Sequence, residues 1–301
     1  MSSPDGWATG QISAGARLAA QAIRQVRLEG DTELNLSGLG LKELPLEVLQ
    51  LAHITSLLAN DNTLSTLPKI GSDRLSNLQE CGLGRNRFTA FPAGLLDLVS
   101  LTRLDLYQNK IQHIPANICQ LSSLRVLRLR HNAISVLPSS FGLLRSLEVL
   151  DLSANQLSEL PNEIGALSRL VSLNLQCNML NSIPPELGLL SNLQILNLRC
   201  NDIAICPREI FSLGKLTVLN LRFNRLIEIP ADIQYMTSLR ELDLYENKLT
   251  TLPCELSLVT SITQLYIKEN PFDDEQLRVA SSRGIPFIMA HLRTQKGTYS
   301  R

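Results

Sequence analysis

Apolar residues return along this chain on a fixed interval. Leu101, Leu104, Leu106, Ile111, Ile114, Ile118 and Leu121 are followed 23 residues later by Leu124, Leu127, Leu129, Ile134, Leu137, Phe141 and Leu144. Units begin at 31, 54, 78, 101, 124, 147, 170, 193, 216, 239 and 262, and every step is 23 except the 24 between 54 and 78. That makes ten full repeats and a shortened eleventh. The first stretch of each unit alternates apolar and variable residues, which predicts a short strand with one face inward. The later spacing of Leu137, Phe141 and Leu144 is four then three, one face of a helical turn or two. A unit this short leaves little room for a full α-helix. Short 3-10 or irregular segments are therefore expected opposite the strands.

Two further columns run through the repeats. An asparagine occupies the ninth position of ten units, from Asn62 and Asn86 to Asn247 and Asn270, with Leu39 the exception. A polar residue recurring inside an apolar pattern must be hydrogen-bonded, so stacked units predict a buried asparagine ladder. Ten of the 14 prolines share one position, from Pro45 to Pro253. Proline presets φ and gives up an N–H, which suits the entry to a short helical segment.

One unit cannot bury its apolar face alone, so stacking and terminal caps are expected. Ile12, Ala16, Ala19, Ile23 and Val26 share one helical face and predict an amphipathic cap over residues 11–29, with Arg17, Arg24 and Arg27 off that face. Beyond Phe272, residues 273–280 and 286–292 read as two short closing helices, and 295–301 as a tail. The expected organisation is a capping segment over residues 1–30, repeats over 31–272 and a helical cap over 273–301.

These columns spell LxxLxLxxNxLxxLPxxLxxLxx, the leucine-rich-repeat pattern. The fold it implies is an α/β solenoid, a right-handed horseshoe with a parallel sheet on its concave face and short 3-10 or irregular convex segments. The 23-residue LxxLP form resembles the intracellular Ras-group leucine-rich-repeat proteins over residues 31–272. These include the Ras-binding scaffold of the Ras–Raf pathway and a plant intracellular family. The resemblance implies a scaffold in signal transduction, with a Ras-type small GTPase or a phosphatase-containing complex as partner.

Composition narrows the function classes. Leucine supplies 61 of 301 residues, and aromatics only 4%. The 28 basic and 28 acidic residues cancel, which argues against a general nucleic-acid binder. No stretch has the length of a membrane span, and the N-terminal residues lack the basic-then-apolar order of a signal peptide. The six cysteines form no CxxC pair and none lies in residues 1–30 or 273–301, so a reducing cytoplasm, or the nucleus, is the expected compartment.

No phosphate-binding loop, nucleophile elbow or metal-spaced cluster occurs, so no cofactor and no catalytic site are expected. His53, His113, His131 and His291 are scattered over different repeat positions. Cys177 and Cys200 occupy one position in successive units; neighbouring strands bring them close enough for a disulfide, and two reduced thiols are the expected state.

The informative residues point outward from the strands. The third position carries Val126, Val149, Ile195 and Val218, broken by Ser172. The fifth carries Asp105, Arg128 and Asp151, then Asn174, Asn197, Asn220 and Asp243. The seventh carries Tyr107, Arg130, Ser153, Gln176, Arg199, Arg222, Tyr245 and Lys268, and Phe223 follows Arg222. Interfaces favour Tyr, Phe and Arg, which bring large contact area and directed donors. The candidate protein-binding residues are Tyr107, Arg128, Arg130, Arg199, Arg222, Phe223 and Tyr245. The competing structural account is a cross-strand charge ladder and an asparagine ladder. Arg199 and Arg222 share a column without an acid, and Asp243 and Glu246 are their expected internal partners. Two functions compete: an interaction scaffold, monomeric on its own, and a recognition subunit of an enzyme complex such as a ubiquitin ligase. The lack of an F-box-like helical module counts against the second.

Overall fold

A computed structural model describes residues 13–71 and 73–296. The chain enters through α1 (Ala14–Glu29) and then lays down eleven three-residue strands. They are β1 (Glu33–Asn35), β2 (Ser56–Leu58), β3 (Glu80–Gly82), β4 (Arg103–Asp105), β5 (Val126–Arg128), β6 (Val149–Asp151), β7 (Ser172–Asn174), β8 (Ile195–Asn197), β9 (Val218–Asn220), β10 (Glu241–Asp243) and β11 (Gln264–Tyr266). Two helices, α2 (Glu275–Arg283) and α3 (Ile285–Lys296), follow. The strands form one parallel sheet in chain order, each in register with the equivalent residue of the next unit.

Nine of the eleven strands bury a middle leucine; β3 buries Cys81 in that place, and Leu265 of β11 is half-buried. Leu127, Leu150, Leu173 and Leu196 are fully buried in a single core that runs the length of the stack. The return paths are five-residue 3-10 turns such as Asn162–Ala166 and Pro185–Leu189. A proline precedes each of the nine, with φ between −57 and −72°. Its carbonyl accepts the N–H three residues on, as Pro161 does from Ile164 at 3.0 Å. The third residue of each turn then plugs the core.

The second unit is the exception. Between β2 and β3, where the repeat gains a residue, the described residues include no 3-10 turn, and Leu75 has φ 51°.

The asparagine ladder is present. Asn155 Oδ1 accepts from Ile134 N–H at 3.0 Å, and its Nδ2 donates to Leu129 O at 3.0 Å and Leu152 O at 2.9 Å. Each ladder asparagine therefore ties its own turn to the preceding coil. The residue before it is left-handed: Arg85, Gln108, His131, Ala154, Cys177, Cys200, Phe223 and Glu246 all have φ between 51 and 56°. That conformation costs roughly 1–2 kcal/mol outside glycine. The inter-coil ladder offsets it, since each of these N–H groups reaches the next coil, as Phe223 N–H does to Tyr245 O at 3.0 Å.

The cap helices differ in detail from the sequence expectation. α1 starts at Ala14, capped by the Ser13 hydroxyl, so Ile12 lies outside the described residues. Ala19, Ile23 and Val26 face the first coil. Gly15 is required there, because a Cβ would stand 1.8 Å from Leu39 O. α2 and α3 are both longer than the two helices expected, and Gln295, assigned to the tail, is helical. Positions 1–12 and 297–301 of the expected end segments lie outside the described residues. Among the described residues, no helix is long and apolar enough to cross a membrane.

Candidate protein-binding face

The outward columns of the sheet carry all seven candidates, and the structure separates them into two groups. Toward the N-terminal side, Arg128 sits 3.4 Å from Asp105, across the β4–β5 register. Arg103 joins them, 3.3 Å from Asp105 and 3.0 Å from Glu80. Arg128 thus belongs to an internal charge network. Asp151, on the other side of Arg128, instead accepts from the Ser153 hydroxyl at 2.6 Å, so the expected three-residue charge ladder is only half formed. Tyr107 lies over Gly84, where a Cβ would meet the ring at 2.2 Å. Arg130 is exposed beside them.

The fifth-position column has a local explanation. Asn174, Asn197, Asn220 and Asp243 each accept, through Oδ1, the N–H of the residue two further on, at 3.0–3.2 Å. These are Asx-type turns that close the strand ends. The column is therefore polar because the chain must turn there, rather than because the amides pair across strands.

Toward the C-terminal side, Arg199, Arg222, Phe223 and Tyr245 form one patch. The Arg222 guanidinium lies 4.7 Å from the Phe223 ring centre and 4.2 Å from that of Tyr245. Arg199 lies 5.2 Å from the opposite partner of this stack, the Phe223 ring. The two rings meet edge to face at 5.8 Å. Aromatic faces, more than carboxylates, accommodate the two like charges, an arrangement absent from the sequence expectation. The left-handed backbone at Phe223 aims its ring back among the arginines.

Asp243 completes the patch from below. Burial raises its pKa above the ordinary carboxylate value, against the pull of the Tyr245 N–H and of Arg222 and Arg199. Glu246, the other expected partner, is exposed and makes no ion pair with either arginine among the described residues. Both Nε atoms, of Arg199 and Arg222, are buried without an acceptor. The rings and the buried Nε atoms thus hold the two guanidinium groups in fixed positions on the face.

Cys177 and Cys200 do lie together beside this patch, and both are free thiols. Burial and then Cys177 raise the Cys200 pKa, while Arg199 opposes the rise. Cys81 and Cys206 fill core positions, and burial pushes each to about 12. The scattered histidines stay apart; His291 pairs with Asp274 at 2.6 Å, far from the sheet face in sequence and on the closing helix. Among the described residues no three His, Cys, Asp or Glu groups are placed to hold a metal ion.

Comparison with known proteins bears on this arrangement. The family described as "Leucine rich repeat" matches residues 76–134, 168–226 and 214–272, and "Leucine-rich repeat region" matches 108–180. The chain is a leucine-rich-repeat protein. No curated protein matches it. A solved leucine-rich-repeat protein of Leptospira interrogans is 32% identical, with a TM-score of 0.69 over 83% of this chain and 75% of that one. The leucine-rich-repeat effector YopM of Yersinia pestis is 26% identical, with a TM-score of 0.69 over 88% of this chain and 68% of that one. The ectodomain of the Arabidopsis thaliana receptor kinase GASSHO1/SCHENGEN3, solved with CASPARIAN STRIP INTEGRITY FACTOR 2, is 31% identical at a TM-score of 0.69. That match covers 77% of this chain but only 29% of the receptor. Leucine-rich-repeat proteins generally serve as protein-interaction modules, and this leucine-rich-repeat chain presents the same kind of concave sheet.

Proposed function

We propose that this protein is a non-enzymatic scaffold that binds a protein partner on its concave face. The Arg199–Arg222–Phe223–Tyr245 patch anchors an acidic element of that partner. The observation that carries this reading is the pair of guanidinium groups stacked against the Phe223 and Tyr245 rings. Large, partly desolvated Arg and aromatic groups concentrate binding energy, and two guanidinium groups that share the single carboxylate of Asp243 leave a net positive patch that favours an acidic partner. Ile195 and Val218, in the neighbouring column, add apolar contact beside it. Tyr107 and Arg130 form a second, smaller contact; Arg128, engaged with Asp105, contributes there through the network it already makes.

The Ras-group resemblance supports the finer reading: a cytoplasmic scaffold of signal transduction, with a Ras-type small GTPase or a phosphatase complex as partner. Six cysteines without a disulfide, none of them in the end segments, agree with a reducing compartment. The test is the double reversal Arg199→Glu with Arg222→Glu, on protein shown to be folded by circular dichroism. Immobilised wild type and variant are compared for capture of purified Ras-type GTPases in both nucleotide states and of phosphatase catalytic subunits. Capture by the wild type that falls with salt and vanishes in the variant supports the proposal. Undiminished capture by the variant refutes the assignment of the patch. A fluorescent fusion excluded from the cytoplasm would refute the compartment.

A further inference from the structure

The convex side carries a pattern of its own. Residues three apart in a 3-10 turn are eclipsed, so the second and fifth residues of each five-residue turn share its outer face. In five successive turns, from Asn162–Ala166 to Cys254–Leu258, the second residue is Glu163, Glu186, Glu209, Asp232 and Glu255. The fifth residue, starting one turn earlier, is Leu143, Ala166, Leu189, Ser212, Tyr235 and Leu258. Leu143, Leu189, Tyr235 and Leu258 are 53, 66, 59 and 45% exposed. An acidic column and an apolar column therefore run side by side across the convex face.

The packing holds the acidic column together. A Cβ at Gly142, Gly165 or Gly188 would stand 2.3–2.4 Å from the carbonyl oxygen of Glu163, Glu186 or Glu209 in the next coil. Glycine lets these acid-bearing turns close to backbone contact, so the acidic residues follow one another at the coil spacing along the stack. Glu186 Oε2 is buried and takes no hydrogen bond. Among the described residues one ion pair reaches the column, Arg208 Nε to Asp232 at 3.9 Å, and Arg208 is itself mostly solvent-exposed. The ridge thus combines negative charge, paired only at Asp232 among the described residues, with bare leucine and tyrosine.

We propose that this convex ridge is a second interaction surface, shaped for a basic amphipathic helix of a partner protein. Cations on one helical stripe meet the acidic column, and an adjacent apolar stripe meets Leu143, Leu189, Tyr235 and Leu258. An anionic membrane or a nucleic acid is repelled by the same column. At roughly 4.8 Å per coil the five steps span about 24 Å. A helix of about 16 residues covers that length. The concave patch selects an acidic element, so the two faces select opposite charges and the chain is able to hold two different partners at once.

The experiment uses the full chain and two fluorescent peptides of about 16 residues. One places Lys and Leu on adjacent helical stripes; the other has the same composition in scrambled order. Binding is read by anisotropy at several salt concentrations. The expected result is that the amphipathic peptide binds about tenfold more tightly than the scrambled one, the scale set by losing a few apolar anchors. Binding should fall by a similar factor in Glu163→Gln/Glu186→Gln/Glu209→Gln/Glu255→Gln and in Leu189→Ser/Tyr235→Ser. It should be unchanged in Arg199→Ala/Arg222→Ala, which separates this face from the concave one. Equal binding of the two peptides, no binding, or sensitivity only to the concave variant would overturn the proposal. So would a dimer by light scattering that Leu189→Ser/Tyr235→Ser dissociates, which would place a second copy of the chain on the ridge. The peptide comparison needs no variant, so a misfolded mutant cannot protect the idea.

Discussion

Asn155 offers the sharpest test of how the solenoid is held together. Its side chain is 8% exposed and makes three short hydrogen bonds to two coils. Asn155→Ala removes all three, but their consequences differ. Leu129 O keeps the Asn132 amide at 2.9 Å, and Leu152 O keeps the Asn178 amide at 3.1 Å. The Ile134 N–H loses its acceptor outright. An orphaned buried donor costs about 1–3 kcal/mol, and each of the two lost carbonyl bonds about 0.5–1.5 kcal/mol. The sum is a destabilisation of about 2–6 kcal/mol, centred near 4.

Asn155→Asp is predicted to be worse, although it keeps the acceptor for Ile134. Its second oxygen would face the Leu129 and Leu152 carbonyls where an amide donor is needed, and it would bring a buried, unpaired charge. The assay is urea denaturation of wild type and both variants, followed by circular dichroism, with midpoint and slope fitted together. Aspartate should recover part of its loss below the carboxylate range, where protonation restores a donor. A shift under about 1 kcal/mol for alanine, or an aspartate variant more stable than alanine at neutral pH, would refute the ladder as a stabilising device.

Four further outcomes follow from the same structure. Leu150→Ala, at a fully buried position between packed coils, should lower stability by about 2–5 kcal/mol in the same titration. Gly15→Val should detach α1 from the first coil, because its Cβ has no room against Leu39 O, and limited proteolysis should then cut near residues 14–29 before the repeats. Asp274 caps α2 and bonds His291; burial works against its carboxylate, but the His291, Leu277 and Gln276 donors outweigh it, so its pKa lies below the ordinary value. A lowered folded pKa means this stabilisation is present above the unfolded carboxylate range and lost as pH falls through the folded value. The protection of α2 and α3 amides relative to their intrinsic exchange rates should therefore fall in acid, and Asp274→Ala should cost about 0.5–2 kcal/mol at neutral pH. For the thiols, Ellman's reagent at neutral pH should reach exposed Cys177 in the native protein, and Cys81 and Cys206, held near 12 by burial, only after denaturation.

The repeat period, the strand at the head of each unit, the asparagine ladder and the proline-led turns were all legible in the sequence. Each follows from a local rule applied at a fixed interval: alternation places Leu127 and Leu150 inward, and proline presets the entry to a 3-10 turn. Because the strands pair each unit with its neighbour at the same position, reading one column down the sequence reads the sheet packing. The pairing of Cys177 with Cys200, and the common column of Arg199 and Arg222, were legible for that reason. What needed tertiary structure were relations between different columns. Phe223 stands among the arginines because the left-handed turn, forced by the ladder at the strand end, aims its ring backward. Arg128 turns to Asp105 and away from Asp151 because Ser153 has already taken the latter. The fifth-position asparagines close their own turns, a contact spanning two residues that an inter-strand ladder had seemed to explain equally well. The convex ridge appeared only once the turns proved to be 3-10. A period near three puts Glu186 and Leu189 on one face, whereas an α-helical period would set them about 60° apart, and an irregular loop would leave them unrelated.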